Sequence, residues 1–170
     1  MYYTGIGSRA TPGAMLKVFT RIATRLNTCG YTLRSGGADG ADSAFEAGAD
    51  CSDIYLPWKG FNNNASELYE ISDAAYEMAE LHHPAWNRCS PAARKFHARN
   101  CYQVLGYALD DPAKFIICWT PGGKAVGGTG QALRIAATHG IRIVNFGADP
   151  DLFQDGPMEL LRRYVEGEDA

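Results

Sequence analysis

The sequence predicts an α/β protein: a parallel sheet with helices on both faces and one insertion, at about residues 57–93. Three observations carry that expectation. Short apolar runs of strand character alternate with helix-period segments between residues 2 and 146, which is the rhythm of strand–crossover–strand units. Three of these runs precede glycine-rich turns: Gly5-Ile6-Gly7-Ser8-Arg9, Ser35-Gly36-Gly37-Ala38-Asp39-Gly40 and Gly127-Gly128-Thr129-Gly130. The 170 residues, 46% hydrophobic and 11% aromatic, suffice for one domain with a substantial core.

The elements follow in order. Residues 2–6 read as a first strand. Residues 13–27, just after Pro12, read as an amphipathic helix with Met15, Leu16, Phe19, Ile22, Ala23 and Leu26 on one face. Cys29-Gly30 closes it. Residues 31–34 form a second strand and 41–48 a short helix behind the second glycine turn. A third strand, 53–56, ends at Pro57. The rhythm then breaks over 57–93, with Trp58, Asn62-Asn63-Asn64, a helix around 73–81 and His82-His83-Pro84-Ala85-Trp86. This stretch reads as an insertion over a crevice. A helix over 94–109 leads into the strand Phe115-Ile116-Ile117-Cys118-Trp119, followed by a helix at 131–139 and a strand at 141–146. Residues 1–148 thus make a Rossmann-like core, and 149–170 an acidic tail with a short helix at 158–165.

Charge and cysteine usage narrow the function. The net charge is −3, yet residues 149–170 hold seven acids against Arg162 and Arg163. No acid occurs from Leu81 to Leu109, where Arg88, Arg94, Lys95 and Arg99 stand. Such a stretch either attracts phosphate or forms one solvated basic helix face. Cys29, Cys51, Cys89, Cys101 and Cys118 are scattered and odd in number, so no disulfide framework or zinc ribbon is expected and a cytoplasmic location is. No apolar run approaches the roughly 18–20 residues of a membrane helix, and no secretory signal is visible at the start.

Glycine turns that open helices leave backbone N–H groups free to bind anions. In open parallel sheets ligands sit outside the carboxyl ends of the strands, where all three turns fall. Gly5-Ile6-Gly7-Ser8-Arg9-Ala10 formally satisfies a dinucleotide fingerprint. The second strand, however, ends in another glycine turn instead of the acid that holds the ribose hydroxyls, which argues against an ordinary NAD site. Ser8 and Arg9 suit a phosphate by hydroxyl and guanidinium. Asp39 and Asp42 either cap the helix at 41–48 or accept from a ribose hydroxyl or base edge. His82-His83 are adjacent and diverge on a helix, so no metal ligand set is expected. Trp58 and Trp86 either stack on bases or pack the insertion onto the core, and Trp119 could floor the pocket.

Taken together, Gly7-Ser8-Arg9, Ser35-Gly36-Gly37-Ala38-Asp39-Gly40-Ala41-Asp42 and Phe96-His97-Ala98-Arg99-Asn100 resemble the core of the DNA-processing protein A (DprA/Smf) family. Gly127-Gly128-Thr129-Gly130 is similar to the last motif of the wider SLOG superfamily, shared with the Lonely-Guy (LOG) nucleotide phosphoribohydrolases. The small size, without a winged helix, resembles the compact versions carried by bacteriophages. The resemblance implies single-stranded DNA binding, with Arg99 and Asn100 among the contacts. The LOG likeness implies N-glycosidic cleavage supported by an arginine, here Arg99, and a glutamate. This chain has Gln131 at the LOG motif's threonine position and Arg134 where the glutamate stands, and neither is a general base.

The leading expectation is therefore a nucleotide or nucleotide-derived phosphorylated ligand. It would be held by Gly7, Ser8, Arg9, Ser35, Gly36, Gly37, Ala38, Asp39, Asp42, Arg99, Asn100, Gly127, Gly128, Thr129 and Gln131, with Trp58 and Trp86 as stacking candidates. The alternatives are DprA-like single-stranded DNA binding and an N-glycosidase using Arg99 and Gln131. No cofactor, metal or membrane partner is expected, and a homo-oligomer stays open.

Overall fold

The computed structural model describes residues 1–148 together with Gly156, Glu159 and Arg162. The expected acidic tail at 149–170, with its helix at 158–165, otherwise lies outside the described residues. Five parallel strands form one sheet: β1 (Tyr2–Gly7), β2 (Thr32–Ser35), β3 (Ser52–Ile54), β4 (Phe115–Trp119) and β5 (Arg142–Asn145). They lie in the order β3-β2-β1-β4-β5. The α/β, Rossmann-like expectation therefore holds.

The period of two along each strand divides the core into two layers. On β1, Tyr3 faces one side and Ile6 the other; on β4, Phe115 and Ile117 face the first side, Ile116 and Cys118 the second. Helices α1 (Gly13–Thr28) and α2 (Ala41–Gly48) cover the first side, whereas α4 (Pro91–Leu105) and α5 (Gly127–Thr138) cover the second. The α1 stripe read from the sequence is buried at Met15, Phe19, Ile22, Ala23 and Leu26. Phe19 stacks on Phe45 of α2 with ring centroids 4.3 Å apart. Gly5 makes room for this pair, since a Cβ there would lie 2.6 Å from the Phe45 ring.

Three boundaries differ from the sequence reading for identifiable reasons. Helix α4 starts at Pro91 and not at 94, because Ser90 accepts the Ala93 N–H at 3.2 Å and Pro91 takes the first helical position. It ends at Leu105, where Gly106 adopts φ 74°. Helix α5 begins at Gly127 instead of 131, so the third glycine turn is the first turn of the helix itself.

The segment expected over the crevice divides, with Trp58 and Phe61 packing on Phe96 of α4. Helix α3 (Asp73–His82) packs on α4 and α5 as an outer layer, burying Ala75 and Ala79. The Tyr102 hydroxyl accepts the Ser72 N–H at 2.8 Å and fixes its start. Among the described residues, no helix is long and apolar enough to cross a membrane.

Phe45 is fully buried at the junction of α2, α1 and β1. Phe45→Ala is expected to cost about 3–5 kcal/mol of stability, read as a lower urea midpoint with an unchanged slope. A loss below about 1 kcal/mol would contradict this packing.

Candidate functional site

The strand order reverses between β1 and β4, and at such a switch point the flanking loops part to leave a crevice. A cavity of about 410 Å³ lies there. Its floor is Ile6 and Gly7 at the end of β1, with Ser8 and Arg9 beyond; Ala38 and Asp42 come from the second glycine turn and α2. Ala93, Phe96, His97, Arg99, Asn100 and Gln103 of α4 and Val126, Gly127, Gly128 and Thr129 at the start of α5 close the other side.

A buried ion pair sits in the wall. Asp42, in the first turn of α2, is 4% exposed, as is Arg99 of α4, and Arg99 Nη1 lies 3.9 Å from Asp42 Oδ2. The carboxylate also accepts the Ala38 N–H at 3.4 Å and faces the N–H groups of Gly36 and Gly7. Burial pushes the Asp42 carboxyl up to about 6, although Arg99 and these amides pull it down. Burial likewise lowers Arg99 to about 10 against the opposing pull of Asp42. Gly36 is required because a Cβ there would overlap the Arg99 guanidinium and the Gln103 amide. The Gln103 amide oxygen, oriented by its donors, accepts from the Gly36 N–H at 3.1 Å and from Arg99. Arg99 Nε is buried with no partner.

Across the cavity, α5 starts without a side-chain cap, after Val126. Asn100 Nδ2 donates to the Gly128 carbonyl at 2.9 Å and holds this end against α4. The Gly130 N–H returns to the Val126 carbonyl at 3.0 Å, and Gly127, Gly128 and Thr129 line the cavity. An uncapped helix N-terminus of this kind attracts an anion through free N–H groups and the helix dipole. Ser8 is anchored beside it, its N–H donating to the Trp119 carbonyl at 3.0 Å, while Arg9 is exposed.

Ten of the residues named from the sequence line the cavity: Gly7, Ser8, Arg9, Ala38, Asp42, Arg99, Asn100, Gly127, Gly128 and Thr129. The others lie elsewhere. Ser35 is buried and donates to the Gly5 carbonyl at 2.6 Å, joining β2 to β1. Gly36 lies beneath Arg99 and Gln103, Gly37 against Leu56 and Ile54, and Asp39 on the surface. Gln131 is fully buried; it donates to the Ala79 carbonyl at 2.7 Å and accepts from Arg134, so it faces α3 and not the crevice. The early start of α5 turns it there. Trp86 is 8% exposed with Arg94 5.2 Å above its ring, which makes it a packing residue. Trp58 is 39% exposed and meets Phe96 edge-on at 5.2 Å. Trp119 is half-buried at the end of β4.

The sequence reading missed Phe96, His97 and Gln103 as cavity residues. Their spacing with Arg99 and Asn100 over two helical turns was the available signal. His97 is lowered to about 4 by burial, by neighbouring His83 and by Arg134 and Arg99. Behind this wall His83, Cys89 and His97 converge, their potential ligand atoms all within 4.8 Å of one another.

No family model matches the sequence, and no curated protein is significantly similar to it. A solved structure of DNA processing protein A from Helicobacter pylori, described for its single-stranded DNA binding mode, matches with a TM-score of 0.56 at 19% identity. The match covers 85% of this chain and 64% of that one. At this identity the likeness is one of fold.

Because Asp42 titrates above its ordinary value of 3.8, its ionisation opposes folding. Its contribution to stability therefore falls as pH rises from about 4 through about 6. NMR of the Asp42 carboxyl carbon is expected to show a midpoint near 6, moving upward in Arg99→Gln. A midpoint below about 4 would contradict the burial argument.

Proposed function

We propose that this chain binds single-stranded DNA along the crevice, with one phosphate at the N-terminus of α5 beside Ser8 and Arg9. The observation that carries the reading is a continuous surface. Phe96 lines the cavity, and its ring leads directly to the exposed Trp58, while Phe61 packs against both at 5.3 Å. A mononucleotide occupies the cavity alone; a strand reaches the cavity and the aromatic rim together. Aromatic faces bind bases without regard to sequence, and positive groups track the backbone. Arg9 is exposed at the cavity mouth, and Lys95 is exposed on α4 within a stretch free of acids from 81 to 109.

The fold likeness to DNA processing protein A, whose described ligand is single-stranded DNA, supports the same reading. So do the ordered motifs at Gly7-Ser8-Arg9, Gly36 to Asp42 and Arg99-Asn100, which point to a DprA-like member of the SLOG superfamily. A cavity of about 410 Å³ also fits one nucleotide-sized ligand, and this favours a small phosphorylated nucleotide as the second reading. The N-glycosidase reading is not carried forward, because Gln131 is committed to Ala79 and Arg134.

Fluorescence anisotropy of a labelled oligo-dT across a salt series tests the proposal. The logarithm of affinity is expected to fall with log salt by about 0.7 per phosphate contacted. Trp58→Ala should cost about 1–3 kcal/mol of binding. Gly128→Asp puts a negative charge at the phosphate position, where a Cβ meets nothing nearer than Asn100 Nδ2 at 4.0 Å. It should weaken oligonucleotide binding without lowering stability. Equal affinity for dTMP and oligo-dT, with Trp58→Ala neutral, would overturn DNA binding in favour of the small-ligand reading.

A further inference from the structure

We propose that His83, Cys89 and His97 form a binding site for a zinc ion at the outer wall of the crevice. The three donors come from separate elements that the fold brings together: His83 at the end of α3, Cys89 after the 3-10 turn Trp86–Arg88, and His97 on α4. Cys89 Sγ is 3.8 Å from both ring nitrogens of His83, and the His83 and His97 rings lie 4.4 Å apart between centroids.

A second observation points to a ligand here. His97 Nδ1 is buried without a hydrogen-bond partner, an arrangement that costs free energy unless something satisfies the atom. The adjacent His82 stands outside this set, its ring lying beside that of His139 at 6.2 Å between centroids. That explains why a histidine pair in the sequence carried no metal signal while a set spread over 83–97 does.

The donor chemistry selects the ion. Two imidazoles and a thiolate, in a stretch with no carboxylate from 81 to 109, suit zinc and do not suit magnesium or calcium. Three protein ligands leave a fourth tetrahedral position for water. Tetrahedral zinc places such donors about 3.3–3.6 Å apart, so the set must close by about an ångström. His83 must also release the Ala85 N–H that its Nδ1 accepts at 3.1 Å, or turn its ring over. Residues 83–90 are mostly half-buried or exposed, which leaves room for both movements. Binding forms one Zn–S and two Zn–N bonds, and the Cys89 thiol gives its proton to the buffer. Because His97 also lines the cavity, the ion fastens the 83–89 segment to the crevice wall.

Cobalt and zinc titrations of the chelator-treated full chain test this. One Co²⁺ per chain is expected, with the visible bands of tetrahedral cobalt and a thiolate charge-transfer band, all displaced by Zn²⁺. Cys89→Ser should abolish the thiolate band and weaken zinc binding by at least about tenfold, while Cys29→Ser and Cys51→Ser leave both unchanged. His97→Ala should weaken zinc binding to a similar degree; if it fails to fold by circular dichroism, His83→Ala supplies the same readout. Absence of a thiolate band at stoichiometric cobalt, or a band that survives Cys89→Ser, would overturn the site.

Discussion

The buried pair of Asp42 and Arg99 governs the architecture of the crevice. Taking each ion out of water costs several kcal/mol, which attraction alone seldom offsets. Here the carboxylate gathers backbone N–H groups from both the first and second glycine turns, and the guanidinium lies across Gly36 against Gln103. The pair thereby joins the ends of β1 and β2 to α2 and α4, on opposite faces of the sheet. Removing one partner would strand the other charge in a nearly dry site, a costly outcome.

In the proposed binding mode, the same pair decides where a ligand's charge goes. Three glycine turns in sequence suggest three phosphate cradles. In the folded chain Asp42 accepts from Ala38 and faces the amides of Gly7 and Gly36, the latter donating to Gln103, so it acts as an internal anion for the first two. What remains is the uncapped start of α5, with Ser8 and Arg9 alongside and the unpartnered Nε of Arg99 in the same wall. Under the proposed function this start of α5 is the anion position, continuous with an aromatic rim at Phe96 and Trp58.

Much of the fold was legible because local signals agreed. The α1 stripe from Met15 to Leu26 and the apolar run Phe115–Trp119 each carried the period of their element. Most of the cavity lining was legible too, since glycine turns behind strands mark the carboxyl edge. Partner choice was not. Nothing in the sequence says that Gln131 turns to Ala79 in place of the crevice, because that depends on α5 beginning four residues earlier. Nor does spacing alone show that Trp86 lies beneath Arg94 while Trp58 stays exposed. The convergence of His83, Cys89 and His97 is likewise a product of how α3 docks on α4, a long-range event with no local pattern.

The most direct test of this account follows backbone amides by ¹⁵N NMR while oligo-dT is added. The expected result is that the Gly127, Gly128 and Thr129 amides shift with saturation while those of Gly36 and Ala38, held on Asp42 and Gln103, stay in place. Shifts concentrated at Gly36, Gly37 and Ala38, with α5 unmoved, would contradict the assignment of the anion position.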